Sequence, residues 1–262
     1  MRTALVFLFA LAALPAMAET DAPAAAARDA RDGVVRLYGA GGPHTAFRKV
    51  ADVWQAKTGA VVEITAGPEP TWSDKAQADA DIVWGTSEQS MTAFLETYRF
   101  LDSADVDPIY LRPAIIAVRP GNPKGIAGFD DLLREGVRIV VTEGAGVANT
   151  SGTGVWEDVA GRMGRLDDVR AFRANIVAFA PGSGASLKAF KEKEADAWIT
   201  WPSWPVNNPD TLEAVALSPE RTVWRDVNVT LAGDADPAAA DFLAFLVSDE
   251  AQAIMATEGW TR

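Results

Sequence analysis

Two loops that combine glycines with hydroxyl side chains are the parts of the sequence best suited to chemistry. Residues 39–44 read GAGGPH and residues 85–88 read GTSE, and each segment follows a short apolar run. Backbone N–H groups at the start of a helix, with hydroxyl groups beside them, bind anions. We therefore predict that these loops contact a small anion. The candidate contacts are Gly41, Gly42, His44, Thr86 and Ser87.

Two further loops have the same character. Residues 67–72 read GPEPTW and residues 144–154 read GAGVANTSGTG, which adds Trp72, Ser151 and Thr153 to the candidates. Glycine and serine also form ordinary turns and helix caps, so one such loop alone does not indicate a site. The set as a whole favours a shared binding site, because ligands of open α/β sheets bind at the carboxyl ends of strands.

Arg112 and Arg225 add positive charge near this predicted site. Arg112 precedes Pro113, and Arg225 lies between Trp224 and Asp226. A guanidinium group offers a planar pair of donors that fits a carboxylate, sulfate or phosphonate group. We predict that both arginines contact the ligand. The alternative for each is an ion pair with a nearby Asp or Glu.

Nine tryptophans occur in the chain, many of them close to predicted strand ends. Aromatic side chains that line a cleft exclude water and so strengthen the polar contacts inside it. Trp201 and Trp204, in the segment WPSWP, are candidates for such a wall together with Trp72. The tryptophans that we expect in the core instead are Trp54, Trp84 and Trp198.

Glu88 and Glu143 lie in the same group of loops, and their negative charges do not fit a site for a purely anionic ligand. Near a helix N-terminus a carboxylate can simply complement the helix dipole. If either carboxylate faces the cleft, it can bind a ligand amine, and the ligand is then a zwitterion. These two residues and His44 are also the only candidates for acid–base or nucleophilic catalysis.

Other catalytic and metal-binding motifs are missing from the sequence. His44 is the only histidine, cysteine is absent, and no G-x-S-x-G motif occurs. Sites built from several histidines or from cysteines are therefore excluded, and the sequence has neither a Ca²⁺-loop motif nor a phosphate-binding G-x-x-x-x-G-K-[ST] motif. We expect a binding protein without catalytic residues, cofactor or metal.

From residue 34 onward, short β-branched runs alternate with helical patterns, which predicts parallel sheets covered by helices. The predicted strands span 34–38, 61–65, 81–84, 114–118, 138–142, 175–179, 197–200 and 213–217. The predicted helices span 43–57, 88–98, 155–162, 186–194 and 237–257, the last with a break near Ser248.

Two segments depart from this rhythm and predict a hinge. Residues 114–118 and 222–231 have no helical pattern directly after them, and we expect each to cross between lobes. The first lobe then holds residues 34–112 and 226–262, and the second holds 113–225. The predicted fold class is α/β, with two parallel-rich sheets joined by a two-strand hinge that closes on a ligand. A single continuous sheet is the alternative.

The N-terminus predicts export. Arg2 precedes an apolar run at 5–14, and AMA at 16–18 fits a signal-peptidase site, so we expect cleavage after Ala18 and a flexible lead-in over 19–33. The apolar run is shorter than the roughly 20 residues that span a bilayer, although an N-terminal anchor is the alternative.

The net charge of −12 argues against nucleic acid and anionic membranes as partners. We expect a monomeric periplasmic protein without direct membrane insertion.

Several segments, taken together, resemble a known family. They are YGAGGPH at 38–44, AGP at 66–68 followed by Trp72, YLRP at 110–113, VRPGNP at 118–123, GAG at 144–146, WED at 156–158 and AW at 197–198. The combination is similar to the accessory colonization factor group of periplasmic binding proteins, which are related to molybdate- and sulfate-binding components of ABC importers. The resemblance covers nearly the whole chain after residue 34. It implies a two-lobed, type II periplasmic binding fold.

Three functions remain open from the sequence alone. The first is capture of a sulfate- or molybdate-like oxyanion, or of a small organic acid, for the permease of an ABC importer. The second is the same binding fold acting as a ligand sensor for a membrane kinase. The third is a periplasmic hydrolase or lyase that depends on His44, Glu88 or Glu143. We expect the first.

Overall fold

The chain forms two separate five-stranded sheets in the computed structural model, which describes residues 28, 30–143 and 154–262. The strands of the first sheet are β1 (Val34–Gly39), β2 (Val61–Ala66), β3 (Ile82–Gly85), β4 (Asp107–Pro113) and β10 (Trp224–Leu231). The strands of the second sheet are β5 (Ile115–Val118), β6 (Ile139–Thr142), β7 (Ile176–Ala180), β8 (Ala197–Thr200) and β9 (Glu213–Ala216). The single continuous sheet is thereby excluded.

Four of the five strands in each sheet run in the same direction. The first sheet has the order β2-β1-β3-β10-β4, and β10 is antiparallel to both of its neighbours. The second sheet has the order β7-β6-β8-β5-β9, and there β5 is the strand that is antiparallel to both neighbours. The predicted pair of parallel-rich sheets is confirmed.

The helices of the described residues belong to two lobes, one for each sheet. Those of the first lobe are α1 (His44–Thr58), α2 (Ser73–Asp79), α3 (Glu88–Thr97), α8 (Pro237–Leu246) and α9 (Asp249–Thr257). Those of the second lobe are α4 (Val155–Gly161), α5 (Leu166–Ala174), α6 (Ser183–Glu192) and α7 (Ser203–Asn207). Of these helices, α1, α3, α4, α6 and α8 pack directly on strands. The predicted break near Ser248 is confirmed, because the hydroxyl of Ser248 caps α9 by accepting a hydrogen bond from the backbone of Ala251.

Helix α1 shows how the sequence positions the start of the first lobe. Phe47, Val50 and Trp54 are spaced to lie on one face of the helix, and all three are buried in the core. The helix ends at Gly59, which has a φ of 75° and closes the last turn in the left-handed conformation that glycine favours. Burial of the apolar face therefore fixes α1 on the sheet, with its N-terminus after the loop at 39–43.

Each lobe has its own aromatic core. Trp54 packs against Phe242 in the first lobe, with ring centroids 5.2 Å apart, and Phe129 stacks on Phe172 in the second at 5.7 Å. The prediction that Trp54, Trp84 and Trp198 belong to the core is confirmed by their burial.

The chain crosses between the lobes twice, at neighbouring positions. Strand β4 ends at Pro113 in the first sheet, and β5 begins at Ile115 in the second. The return crossing leads into β10, and the two crossings are hydrogen-bonded, because the backbone N–H of Ala114 donates to the carbonyl of Val223 at 2.7 Å. Of the segment predicted as the first crossing, 114–118, residues 115–118 form β5 in the second sheet.

The end of the predicted flexible lead-in is packed against the first lobe. The Arg28 guanidinium lies 2.9 Å from a carboxylate oxygen of Asp234 and 3.5 Å from the ring centroid of Phe100. The predicted signal peptide and cleavage site lie outside the described residues. Within residues 28, 30–143 and 154–262, no helix is long and apolar enough to span a membrane.

Candidate functional site

Arg112 is the centre of the candidate site. It lies near the end of β4 with only 1% of its surface exposed. The carbon at the centre of its guanidinium is 4.1 Å from the ring centroid of Trp201 and 4.7 Å from that of Trp260. Trp201 follows β8 of the second lobe and Trp260 follows α9 of the first. The guanidinium is therefore held between indole rings from both lobes, an arrangement that stabilises a cation.

The charge of Arg112 persists at neutral pH despite its burial. Burial lowers the pKa of Arg112 to about 9; the carboxylate of Asp226 opposes this change, and the positive charge of Arg225 adds to it. One guanidinium nitrogen, Nη2, donates to the backbone carbonyl of Thr86 at 3.5 Å. The group thus connects β4 to the loop between β3 and α3 while remaining cationic, as an anion site requires.

Buried polar atoms without hydrogen-bond partners occur on the elements that surround Arg112. Among the described residues they include Thr86 Oγ1, Trp201 Nε1, Trp260 Nε1, Asp226 Oδ1 and Asn228 Oδ1. Buried polar atoms in folded proteins are nearly always paired, because leaving them unpaired is costly. A group of them around a buried cation indicates a position for a polar ligand.

The glycine loop before α1 is fixed by a tryptophan of the neighbouring strand. The indole N–H of Trp84 donates to the carbonyl of Ala40 at 2.8 Å. A Cβ atom at Gly39 would lie 2.3 Å from the Trp84 ring, so no side chain fits there. Gly42 has a φ of 117°, which also favours glycine. Gly41 and Gly42 therefore hold an open backbone at the start of α1, where the dipole of a 15-residue helix favours an anion.

His44 is the first residue of α1, and its Nδ1 atom is buried without a partner among the described residues. Burial lowers the pKa of His44, the positive charge of Arg48 lowers it further, and the negative charge of Glu258 acts in the opposite direction. The imidazole is therefore neutral at pH 7 and has one N–H to donate. This placement is compatible with the predicted role of His44 as a neutral donor to an anion.

The start of α3 uses much of its hydrogen-bonding capacity internally. The backbone N–H groups of Thr86 and Ser87 both donate to the hydroxyl of Ser90, at 2.9 and 3.1 Å, and the Ser87 hydroxyl accepts from the backbone of Ser90. Ser87 is thus a helix cap, and the Thr86 hydroxyl is the group of this loop without a partner in the described part of the chain. The Glu88 side chain is exposed, as is that of Glu143.

Of the three tryptophans predicted to wall the cleft, Trp201 is the one stacked on Arg112. The Trp72 ring is buried in the first-lobe core, 5.9 Å from the ring centroid of Tyr98, and its N–H donates to the carbonyl of Gly67 at 3.0 Å. Trp204 is partly buried and packs against Trp198 at 5.2 Å. The ring and the N–H of Trp72 are thus both used in contacts within the core of the first lobe.

Arg225 has a carboxylate partner in the other lobe. Its Nη2 atom lies 2.5 Å from Asp158 Oδ2, which joins β10 of the first sheet to α4 of the second lobe. The alternative of an ion pair thus describes Arg225. The partner of Arg225 was hard to predict because it is distant in sequence. The predicted contacts Ser151 and Thr153 lie outside the described residues.

A second group of contacts links the lobes through Glu258, which is almost fully buried. Its carboxylate accepts hydrogen bonds from Asn207 Nδ2 of α7 at 2.7 Å and from Thr45 Oγ1 of α1 at 3.2 Å, and it forms an ion pair with Lys49. Burial alone would raise the pKa of Glu258, but the hydrogen bonds from Lys49, Asn207 and Thr45 outweigh it and lower the pKa. The next residue, Gly259, lies directly against Pro202 of the second lobe.

Sequence reasoning missed Asp226, Asn228, Trp260 and Glu258 as residues of this region. Strand β10 reads WRDVNVTL, in which polar residues alternate with valines although the strand lies inside the sheet. This alternation was the available signal, because a polar side chain in a buried strand needs a partner. Glu258 had no comparable signal. Among the described residues no cluster of three or more His, Cys, Asp or Glu side chains is placed to hold a metal ion.

Comparisons with known proteins identify relatives over nearly the whole chain after residue 34. A family profile described as "Bacterial extracellular solute-binding protein" matches residues 35–261. The structure of Peb3 from Campylobacter jejuni is similar at 46% sequence identity and a TM-score of 0.81, covering 87% of this chain and 99% of that one. A structure of L-phospholactate-bound PEB3 matches at the same identity and coverages, with a TM-score of 0.82. No curated protein matches the chain.

More distant structures share the fold. The sulfate-binding protein SubI from Mycobacterium tuberculosis H37Rv has 18% identity and a TM-score of 0.71, with 87% of this chain and 86% of that chain covered. The periplasmic molybdate-binding protein of Azotobacter vinelandii has 14% identity and a TM-score of 0.66, with coverages of 87% and 99%. The predicted two-lobed fold, and the predicted relation to sulfate- and molybdate-binding proteins, are confirmed. These relatives are binding proteins.

Proposed function

The chain belongs to the family of bacterial extracellular solute-binding proteins, and from this premise we propose that it captures a small anion between its two lobes for an ABC importer. The observation that carries the proposal is the buried cation of Arg112 between Trp201 and Trp260. Attraction between opposite charges is much stronger in a buried, water-poor position than in bulk water, so an anion beside this cation is held firmly.

The ligand contacts proposed from the described residues surround this cation. His44 and the backbone of Gly41 and Gly42 supply donors at the start of α1, and Thr86 supplies a hydroxyl at the start of α3. Peb3, at 46% identity, has been crystallised with L-phospholactate, a molecule with a carboxylate and a phosphate group. A guanidinium binds both of these groups through its planar pair of donors, which supports a small carboxylate or phosphate compound as the ligand.

We further propose that the protein works in the periplasm as a monomer, after cleavage behind Ala18, and that it has no catalytic residues. Its lobes, 34–112 with 226–262 and 113–225, would close about the two adjacent crossings. The hydrogen bond between Ala114 and Val223 supports a hinge at that place, because it holds the crossings together while the lobes rotate.

The proposal is tested by thermal melts of the mature protein after bound ligand has been removed by partial unfolding. Single compounds are then added: sulfate, molybdate, phosphate, phosphonates, dicarboxylates, phosphorylated hydroxy acids and acidic amino acids. A ligand at a hundredfold excess over its Kd stabilises the folded state by about 2.7 kcal/mol, which raises Tm by several degrees. We expect at least one anion to do so.

Arg112→Gln and Arg119→Gln form the matched pair for this screen. Arg119 donates to the backbone carbonyl of Ala195, so its guanidinium is used in a contact within the second lobe. The rise in Tm should disappear in Arg112→Gln and persist in Arg119→Gln. A rise that survives in both variants, or no rise with any anion, would rule out the proposed site. Loss of ligand uptake in a strain lacking the gene tests the importer role.

A further inference from the structure

The unpaired atoms beside Arg112 include acceptors as well as donors. Asn228 Nδ2 donates to Asp226 Oδ2 at 2.8 Å, and both side chains are at least nine-tenths buried. The other side-chain oxygens, Oδ1 of Asp226 and Oδ1 of Asn228, accept no hydrogen bond from any described residue. Two buried oxygens with free lone pairs are not expected in a site built solely for a fully deprotonated oxyanion, because such an anion presents only acceptors.

The register of β10 places these acceptors between Arg112 and the start of α3. Strand β10 lies between β4 and β3, with Arg225 opposite Arg112 and Asn228 opposite Gly85. A Cβ atom at Gly85 would lie 2.6 Å from Asn228 Oδ1, so glycine leaves the room that the amide occupies. Asn228 therefore sits beside the residue that precedes Thr86, at the carboxyl end of β3.

The hydrogen bond from Asn228 holds the Asp226 carboxylate in the same region. Burial raises the pKa of Asp226, the hydrogen bond from Asn228 lowers it, and the carboxylate of Glu88 at the start of α3 raises it. The negative charge of Asp226 in turn raises the pKa of Arg112 and so favours its charged form. A donor arriving on a ligand would satisfy this carboxylate, whereas a second full negative charge without a donor would be repelled by it.

We propose, resting on the function proposed above, that the ligand carries a hydrogen-bond donor next to its negative group and that Asp226 and Asn228 select for this donor. Hydrogen phosphate and small organic anions with a hydroxyl or ammonium group meet this requirement. Sulfate and molybdate, which carry no proton at neutral pH, do not. Arg112 supplies the attraction for the anion, and the two oxygens supply the discrimination.

The experiment is isothermal titration calorimetry with matched pairs of anions at pH 7. The pairs are phosphate with sulfate, 2-hydroxyethanesulfonate and 2-aminoethanesulfonate with ethanesulfonate, and malate with succinate. In each pair whose members bind, we expect the anion with the donor to bind at least tenfold more tightly. The sulfonate pairs also distinguish a hydroxyl from an ammonium group as the donor.

Three variants separate selection from folding. Asp226→Asn keeps the shape and removes the charge, and Asn228→Leu removes one acceptor together with the amide that orients the Asp226 carboxylate. In both variants we expect the ratio of the two affinities within a pair to fall several-fold towards one. The anion without a donor should bind as tightly as it does to the wild type, or more tightly. Thr230→Val is the control, because Thr230 is also fully buried on β10 with an unpaired hydroxyl but pairs with Val83, further from Arg112. Its preference should match that of the wild type.

The outcomes distinguish this inference from the function on which it rests. If the wild type binds anions but does not distinguish the members of a pair, or prefers sulfate to phosphate, selection by Asp226 and Asn228 is disproved and anion capture stands. If the preference is unchanged in both Asp226→Asn and Asn228→Leu, selection by these two residues is likewise disproved and anion capture stands. If the wild type binds none of the anions, both proposals fail together.

Discussion

Arg112 shows at the scale of a single residue why charge alone does not describe this site. Its guanidinium is planar and stacks between the indoles of Trp201 and Trp260. A lysine has neither the flat surface nor the two parallel donors, although it keeps the charge. The geometry of the group, and not only its charge, should therefore matter for anion binding.

Arg112→Lys should accordingly weaken binding of the best anion by about 10- to 100-fold, the loss of roughly 1.5–3 kcal/mol that a hydrogen bond to a charged group contributes. Calorimetric titration measures this change. Arg119→Lys, at a partly buried position of the second lobe, is the control and should bind as the wild type does. Equal affinity in the wild type and Arg112→Lys would show that only the charge is used.

Glu258 gives a residue-scale prediction about stability. Its pKa lies below the ordinary value of 4.5, because the hydrogen bonds from Lys49 and Asn207 outweigh its burial. A lowered pKa stabilises the fold fully above about pH 4.5, and this stabilisation is lost as the pH falls through the lower value of the folded protein. The contribution of the charge should therefore be visible at pH 7 and absent in acid.

Glu258→Gln should lower the free energy of unfolding at pH 7 by about 1–3 kcal/mol, since a charged hydrogen-bonding group is replaced by a neutral one. Melts of both proteins from pH 7 to pH 3 measure the difference, which should shrink below about pH 4.5. Glu250→Gln is a suitable control, because Glu250 pairs with Lys57 on the surface. A Glu258→Gln effect that is independent of pH would contradict the assignment.

Single residues differ in how far the sequence predicts their role. Arg112 was identified because it precedes the proline at a predicted crossing, which is a local feature. The same local feature suggested a ligand contact for Arg225, but it could not reveal the carboxylate partner Asp158, which belongs to the other lobe. In the same way, neighbouring residues do not reveal that Tyr98 stacks on the ring of Trp72. Pairs that meet only in the folded chain lie outside such reasoning.

At the scale of elements, the strongly patterned segments were predicted and the weakly patterned ones were not. Strands β1, β2, β3 and β5 to β9 were expected within one or two residues, because β-branched runs mark them. Strand β4 was missed, since its sequence DPIYLRP has a proline near each end and lies at the edge of the sheet. Helix α2 was missed because it buries a single alanine, Ala76.

The turn after α9 gives a prediction at this scale. Gly259 has a φ of 82°, and a Cβ atom there would lie 2.3 Å from Pro202 Cβ. Gly59, after α1, has a φ of 75° with open space around it. Alanine in the left-handed conformation costs about 1–2 kcal/mol at either position, and only Gly259→Ala adds an overlap, worth about 1–3 kcal/mol more.

Denaturant unfolding of Gly259→Ala and Gly59→Ala measures the two costs. The difference between them isolates the contact between the lobes from the backbone strain that both share. We expect Gly259→Ala to be the less stable by at least about 1 kcal/mol. Equal losses would mean that Pro202 moves away easily and that the lobes are not tightly packed at this turn.

For the whole molecule, the two sheets were predictable, but the contacts between the lobes were not. Alternating strands and helices with two breaks in the rhythm were enough to predict two lobes. The hydrogen bond from Asn207 to Glu258 and the ion pair from Arg225 to Asp158 join elements that are distant in sequence. Such contacts join the two lobes, and they form only when both lobes are in place.

Removing these two contacts should favour an open molecule. Asn207→Ala with Asp158→Asn eliminates the hydrogen bond and the ion pair between the lobes. Neither group was placed beside the anion, so the association rate should change little. Dissociation should accelerate by about tenfold, because each contact contributes on the order of 0.5–1 kcal/mol to closure. Stopped-flow tryptophan fluorescence measures both rates, and small-angle scattering of the ligand-free protein should show a larger radius of gyration.

The matched control removes comparable contacts within the second lobe. Asn208→Ala with Asp167→Asn breaks the hydrogen bond from Asn208 to the carbonyl of Trp204 and the exposed ion pair between Asp167 and Arg170. Its dissociation rate and radius should equal those of the wild type, because neither contact joins the lobes. If the two double variants behave alike, the contacts at Glu258 and Asp158 do not hold the molecule closed, and closure depends on the ligand and the stacked Arg112 alone.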